Sequence, residues 1–178
     1  LTFANNNYNE APEMKKIKME QVKQIKNNED TYISEIFSAH HNKTLGKYLG
    51  DIIVKIYKKE DPLEQSIWNT DTGRLTYMLK KCIYKEKSKW MIDKKGIDVM
   101  HNIVTPMMDN VREMAIQYQK ENDFDNCDDG DRVMLINSIF AKLIADIDNK
   151  KAHNEILKTQ PNCLLIIVPR HKERFTKV

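Results

Sequence analysis

Residues 62–100 have the sequence PLEQSIWNTDTGRLTYMLKKCIYKEKSKWMIDKKGIDVM. Just before them, apolar side chains recur every three or four residues over 43–59, which predicts an amphipathic helix that ends at Asp61-Pro62. The quoted stretch allows a short helix over 63–69 and predicts a second amphipathic helix over 72–84. Two short β-like runs around a glycine-containing turn then predict a hairpin over 89–100.

This order of helix, short helix, turn, helix and hairpin is typical of a winged helix. In such a unit the helix after the turn can lie in the major groove of DNA, and the hairpin wing contacts the backbone. The candidate phosphate-binding residues are Arg74, Lys80, Lys81, Lys89, Lys94 and Lys95. The candidate base-contacting residues are Trp68, Tyr77 and Gln65. Lysine meets phosphate as a point charge, arginine can contact guanine through two hydrogen bonds, and aromatic rings stack on unpaired bases.

The same residues also fit a structural role. Trp68 and Trp90 could be core residues that hold the hairpin against the helices, and winged helices also serve as protein–protein modules. Asp71 and Asp93 could be cap and turn residues, or they could neutralise the basic patch. The position of four lysines discriminates between these readings. If Lys80, Lys81, Lys94 and Lys95 do not share one face, the winged-helix binding hypothesis loses its main support.

The rest of the chain predicts a mainly α domain with this small hairpin. Residues 1–28 are predicted as a linker and an exposed amphipathic helix over 13–27, which could dock a protein partner. Residues 29–120 form the winged-helix-like domain, and 121–131 form an acidic loop. Residues 132–178 are predicted to contain helices, an apolar strand over Cys163–Val168 and a basic tail, either as a separate segment or within the same domain.

Composition places the chain among ordinary globular proteins. Of 178 residues, 40% are hydrophobic and 31% are charged, and the formal net charge is +3. No apolar run reaches the roughly 18 to 20 residues of a membrane-spanning helix. The three cysteines form no CxxC pair, which favours a reducing, intracellular compartment. Leu1 stands where a methionine is expected, so we predict a fragment of a longer protein.

Metal binding and catalysis are not indicated. The acidic loop supplies oxygen ligands, but no register places Gly at position six and Glu at position twelve of a calcium-binding loop. His40-His41 is at most half of a metal site. No phosphate-binding glycine loop, nucleophile elbow or HExxH motif is present. We therefore predict a protein that is not an enzyme and that needs no cofactor.

The pattern YKK..P..QS.WNTD..RLTY over residues 57–77, followed by W..DKKG over 90–96, resembles an uncharacterised family of the nucleocytoplasmic large DNA viruses, the mimivirus-like giant viruses. The resemblance implies a viral origin and a location in the host cytoplasm or virus factory. Members of that family often carry DNA-binding modules, which favours a nucleic-acid role. The resemblance supplies no catalytic residues.

We therefore predict a non-enzymatic protein that binds DNA or RNA through a basic winged-helix-like surface. The alternative is a protein–protein adaptor in a viral assembly, without nucleic-acid contact. Binding to phosphates should weaken steeply as salt rises, whereas an apolar protein interface should not. The sequence leaves the choice between DNA and RNA and the oligomeric state open.

Overall fold

The computed structural model describes residues 1–26, 29–71, 73–84, 87–121 and 130–159. Its helices are α1 (Thr2–Asn7), α2 (Met19–Ile25), α3 (Glu29–His41), α4 (Leu45–Tyr57), α5 (Ile97–Val99), α6 (Thr105–Glu121), α7 (Gly130–Asp148) and α8 (Lys151–Thr159). Its strands are β1 (Ile67–Asp71), β2 (Thr76–Tyr84) and β3 (Lys87–Asp93), which form one antiparallel sheet in the order β1-β2-β3. This architecture confirms the prediction of a mainly α protein with a small β element.

Helix α4 is the helix that the sequence predicts over 43–59, and its apolar side chains form its buried face. Leu49 and Ile53, one helical turn apart, are fully buried. Helix α8 packs against α4 at Gly46, where a Cβ would lie 2.8 Å from the Cβ of Glu155 and 2.9 Å from its carbonyl carbon. The absence of a side chain at Gly46 therefore sets how closely the two helices approach.

A single apolar core contains residues from both sides of the acidic segment. Ile36 of α3, Val111 of α6 and Leu143 of α7 belong to it, together with Leu79 of the sheet. The rings of Phe37 and Phe140 meet edge to face with centroids 4.2 Å apart, a favourable geometry for aromatic pairs. Helices α7 and α8 thus pack against the same core as the helices that precede the acidic segment.

The predicted helix over 72–84 is wrong, because most of this stretch is strand β2. The sheet is covered on both faces, so apolar residues are not confined to alternate positions. Tyr77 and Leu79 belong to the main core, while Met78 packs against a second cluster on the opposite face. Apolar residues on both faces of a strand produce spacings of three and four that imitate a helix. The winged-helix unit, which requires this helix, is not confirmed.

The predicted hairpin over 89–100 is wrong in its pairing. Strand β3 pairs with β2, and the residues after Asp93 turn into helix. Lys95 and Gly96 have left-handed backbone conformations with φ of 64° each, and helix α5 begins directly after them. The buried Asp93 carboxylate then accepts a hydrogen bond from the backbone N–H of Val99, at 3.1 Å. Asp93 therefore anchors the start of the helical stretch that a π-helical turn, Met100–Val104, connects to α6.

The outer face of the sheet is covered by the N-terminal residues. Ala4 and Ala11 pack on Trp68 and Trp90 in the second apolar cluster. The following segment, through α2, joins the main core, where Val22 is 2% exposed. The prediction of an exposed helix over 13–27 is therefore corrected, because its apolar stripe packs within the protein.

His153 of α8 is buried, with 3% of its surface exposed. Burial lowers the pKa of its imidazole below the usual 6.5, the charge of Asp109 opposes this effect, and the charge of Lys150 adds to it. In the unfolded chain the imidazole takes up a proton near pH 6.5, whereas in the fold it does so only at lower pH. The unfolded state therefore binds more protons in this range, and acid favours it.

We expect the free energy of unfolding to fall as the pH drops below 6.5, and to fall less steeply in a His153→Leu variant. Urea denaturation of both proteins over a series of pH values measures the two slopes. The remaining histidines, His40, His41, His101 and His171, are present in both proteins, so the difference in slope isolates His153. Equal slopes would contradict this expectation.

Candidate nucleic-acid interface

The three residues predicted to contact bases are buried. Trp68 stacks on Trp90 with ring centroids 4.2 Å apart and planes 11° apart, and the Trp90 indole N–H donates to the Tyr8 carbonyl at 2.9 Å. The Gln65 side chain accepts from the Lys59 N–H at 2.7 Å and donates to the Ile67 carbonyl at 2.8 Å. These residues hold the sheet together, which is the structural role that the sequence left open for Trp68.

Tyr77 lies in a row of buried polar side chains across the sheet. It is the register partner of Asn69 on β1 and of Asp93 on β3, and all three are buried. Burial raises the pKa of the Tyr77 hydroxyl to about 12, and the charge of Asp93 acts in the same direction. Tyr77 has no exposed surface, so a base cannot reach it, and the prediction that it contacts a base is wrong for this structure.

Lys80 is also buried, with no exposed surface. Its ammonium group donates to the backbone carbonyl of Asn9 at 2.7 Å and lies 3.4 Å from the Asn9 side-chain oxygen. Successive side chains of a strand point to opposite faces, so Lys80 lies under the N-terminal segment while Lys81 lies on the other side. Lys80 and Lys81 cannot form one phosphate-binding face, and the predicted patch is corrected here.

The remaining predicted cations fall into two groups at opposite ends of β3. Arg74, Lys94 and Lys95 lie where β2 begins and β3 ends, and Arg74 is 3.7 Å from Asp71. Lys81 and Lys89 are direct cross-strand partners towards the other end of the hairpin. Lys81 also forms an ion pair with Asp98 at 2.7 Å. The structure therefore brings together Lys81 and Lys89 but not the full predicted set.

The outer part of the β2–β3 hairpin, residues 81–92, is called the hairpin arm below. Much of it is exposed to solvent, including Lys87 and Lys89, while Trp90 anchors its base. This segment contains four lysines, at positions 81, 85, 87 and 89, and one glutamate, at position 86. Lys85 and Glu86 lie outside the described residues. The described residues of the arm thus form a two-stranded ribbon, and the sequence of the arm has a positive net charge.

Two residues of the arm, Lys87 and Tyr84, are not among the site residues predicted from the sequence. Tyr84 is 68% exposed, and it aligns with Lys87 across the hairpin. The sequence does contain a strand signal here, since the β-branched Ile83 and the aromatic Tyr84 precede the polar residues 85 and 86. The prediction of a helix over 72–84 took precedence over this signal.

Within the part of the chain that the structure describes, no group of three or more His, Cys, Asp or Glu side chains could hold a metal ion. The acidic loop considered for calcium lies almost entirely outside that part. No helix of the described residues is long and apolar enough to cross a membrane. No protein-family model, curated protein or solved structure matches the chain.

Proposed function

We propose that the protein binds nucleic acid through the hairpin arm. The observation that carries the proposal is the direct cross-strand pairing of Lys81 with Lys89. Like charges at directly opposed positions destabilise a sheet. Among the described residues, Asp98 forms an ion pair with Lys81, and Lys89 has no such pair. A phosphate group near Lys89 would supply the missing negative charge.

The shape of the arm supports the same proposal. A two-stranded ribbon fits the major groove of B-DNA, which is about 12 Å wide. Lysines along such a ribbon bind phosphates and release counterions, independently of sequence. In this proposal the arm itself enters the groove and no helix does, which differs from a winged helix, where the hairpin wing contacts the backbone. Viral origin, an intracellular location and the absence of catalysis stay predictions.

We expect the variant Lys87→Gln/Lys89→Gln to bind nucleic acid more weakly and with less salt dependence. Each lost lysine–phosphate contact should reduce the slope of log K against log salt concentration by about 1. Fluorescence anisotropy with labelled double- and single-stranded DNA and RNA, at several salt concentrations, measures both quantities. The polymer that binds most tightly identifies the preferred strand type.

The control is Lys58→Gln/Lys59→Gln, which removes the same charge from exposed positions at the end of α4. It should retain the affinity and salt slope of the unaltered protein. Equal losses in both variants would reveal only non-specific attraction to a basic protein. No binding at low salt would refute the proposal.

The adaptor alternative is favoured by a different observation. Ile83, Met91 and Ile92 of the arm are 47%, 39% and 46% exposed, respectively. Met91 and Ile92 point to opposite faces of β3, so a partner that covers both has to wrap around the arm. A protein partner captured by the arm should be retained at high salt and lost on an Ile83→Ser/Ile92→Ser change. Nucleic-acid binding should instead respond to the lysine changes.

A further inference from the structure

A cleft of about 420 Å³ lies on the helical side of the protein, away from the hairpin arm. It is lined by the end of α3, the start of α4, and residues of α7 and α8. Small-molecule sites commonly have volumes of about 300–1,000 Å³. The cleft is therefore large enough for a small organic ligand.

Charged side chains dominate the lining of the cleft. They are His40, His41, Lys43, Lys142, Lys151, Asp146 and Glu155. Asp146 accepts a hydrogen bond from the His40 ring at 2.9 Å and lies 3.6 Å from the Lys151 ammonium group. The hydrogen bond from His40 and the charge of Lys151 hold the pKa of the Asp146 carboxyl below its usual range. Asp146 is therefore already engaged by the His40 ring and by the Lys151 ammonium group.

Two further lysines, Lys43 and Lys142, line the cleft together with the carboxylate of Glu155. Both are exposed, and neither lies within ion-pair distance of a carboxylate among the described residues. They approach the cleft from different elements, Lys43 from the turn between α3 and α4, and Lys142 from α7. The half-buried Ile139 contributes apolar surface beside them, and the buried Leu45 lies behind it in the lining. The cleft thus combines two available positive charges with an apolar wall.

We propose that this cleft binds a phosphate-bearing small molecule, with the phosphate between Lys43 and Lys142. Lysine is a common phosphate ligand because its ammonium group offers three donors and a full charge. The apolar wall would contact the remainder of the ligand. The site is separate from the hairpin arm, so it could be occupied whether or not the arm binds nucleic acid.

Isothermal titration calorimetry with ATP, with inorganic phosphate and with adenosine tests the proposal on the whole chain. We expect ATP or phosphate to bind saturably, and the Lys43→Gln/Lys142→Gln variant to bind at least about tenfold more weakly, since each hydrogen bond to a charged group contributes about that factor. Tighter binding of ATP than of phosphate would indicate a nucleoside phosphate, and equal binding would indicate the free anion.

Two further variants keep the result interpretable. Lys43→Arg/Lys142→Arg retains both charges and should keep affinity close to that of the unaltered protein. Lys58→Gln/Lys59→Gln removes the same charge elsewhere and should bind normally. Circular dichroism confirms that each variant is folded.

Absence of saturable binding of ATP and phosphate at millimolar concentration would overturn the proposal. So would unchanged affinity in Lys43→Gln/Lys142→Gln, or adenosine binding as tightly as ATP. This variant should still bind nucleic acid, whereas Lys87→Gln/Lys89→Gln should still bind ATP. The failure of one proposal is therefore distinguishable from the failure of the other.

Discussion

Replacing Trp90 with alanine is expected to destabilise the protein by about 3–5 kcal/mol, the usual cost of removing a buried aromatic side chain. Trp90 is 1% exposed and stacks on Trp68. The change removes this stacking partner and leaves a cavity between the sheet and the N-terminal segment. It also removes the hydrogen bond that the Tyr8 carbonyl accepts from the indole N–H of Trp90.

Urea denaturation followed by far-ultraviolet circular dichroism measures this loss. Trp90→Phe is the matched control, because it keeps an aromatic ring and removes the N–H donor. We expect it to lose less stability than Trp90→Ala. Near-ultraviolet circular dichroism should also lose the signal of the stacked tryptophan pair in both variants. If Trp90→Ala unfolds at the same urea concentration as the unaltered protein, the packing of the outer sheet face is not as described.

Replacing Gly46 with valine is expected to destabilise the protein by about 3 kcal/mol, at the upper end of the usual cost of overpacking. Its Cβ would meet the Cβ and the backbone of Glu155 at 2.8 and 2.9 Å. A backbone atom cannot rotate away from this contact, so α8 would have to shift from α4. The stability of Gly46→Ala should lie between that of the unaltered protein and that of Gly46→Val. Alanine adds only one carbon, and it favours helix by about 1 kcal/mol over glycine.

Gly73→Ala is the control for this series. A Cβ at Gly73 would meet the Asp71 carboxylate at 3.6 Å, an ordinary van der Waals distance. We expect the stability of Gly73→Ala to stay within about 0.5 kcal/mol of the unaltered protein, as for most surface changes. Thermal and urea unfolding of Gly46→Val, Gly46→Ala and Gly73→Ala measures the order of their stabilities. An unchanged stability of Gly46→Val would show that α4 and α8 are not in close contact.

Helices that bury a single apolar face could be predicted from the sequence. Leu49 and Ile53 repeat at the spacing of a single buried stripe. The helix start predicted at Thr105-Pro106 is wrong, because Thr105 has helical backbone angles and continues the helical stretch that begins at Ile97. The stretch over 72–84 could not be assigned in the same way, because Met78 and Leu79 are directed to different apolar clusters. The second cluster depends on α1, which lies far away in the sequence.

The candidate site was harder to predict than the helices. The sequence identifies the basic residues, but the face on which each side chain lies depends on whether residues 72–84 form a helix or a strand. On a helix, Lys80 and Lys81 would lie side by side near the surface, whereas on a strand they point to opposite faces. The two lysines of the cleft could not be predicted for another reason, since Lys43 and Lys142 line the same cleft only because α7 packs beside α3.

The close contact between α4 and α8 has a consequence for synthesis on the ribosome. Chains are made from the N-terminus at about 5–20 residues per second, so α4 emerges long before residues 151–159. Until then α8 does not cover the face of α4 around Gly46, and the nascent chain exposes apolar surface. A ribosome stalled before residue 151 should therefore carry a nascent chain that chaperones bind, and emergence of α8 from the ribosome should release the chaperones.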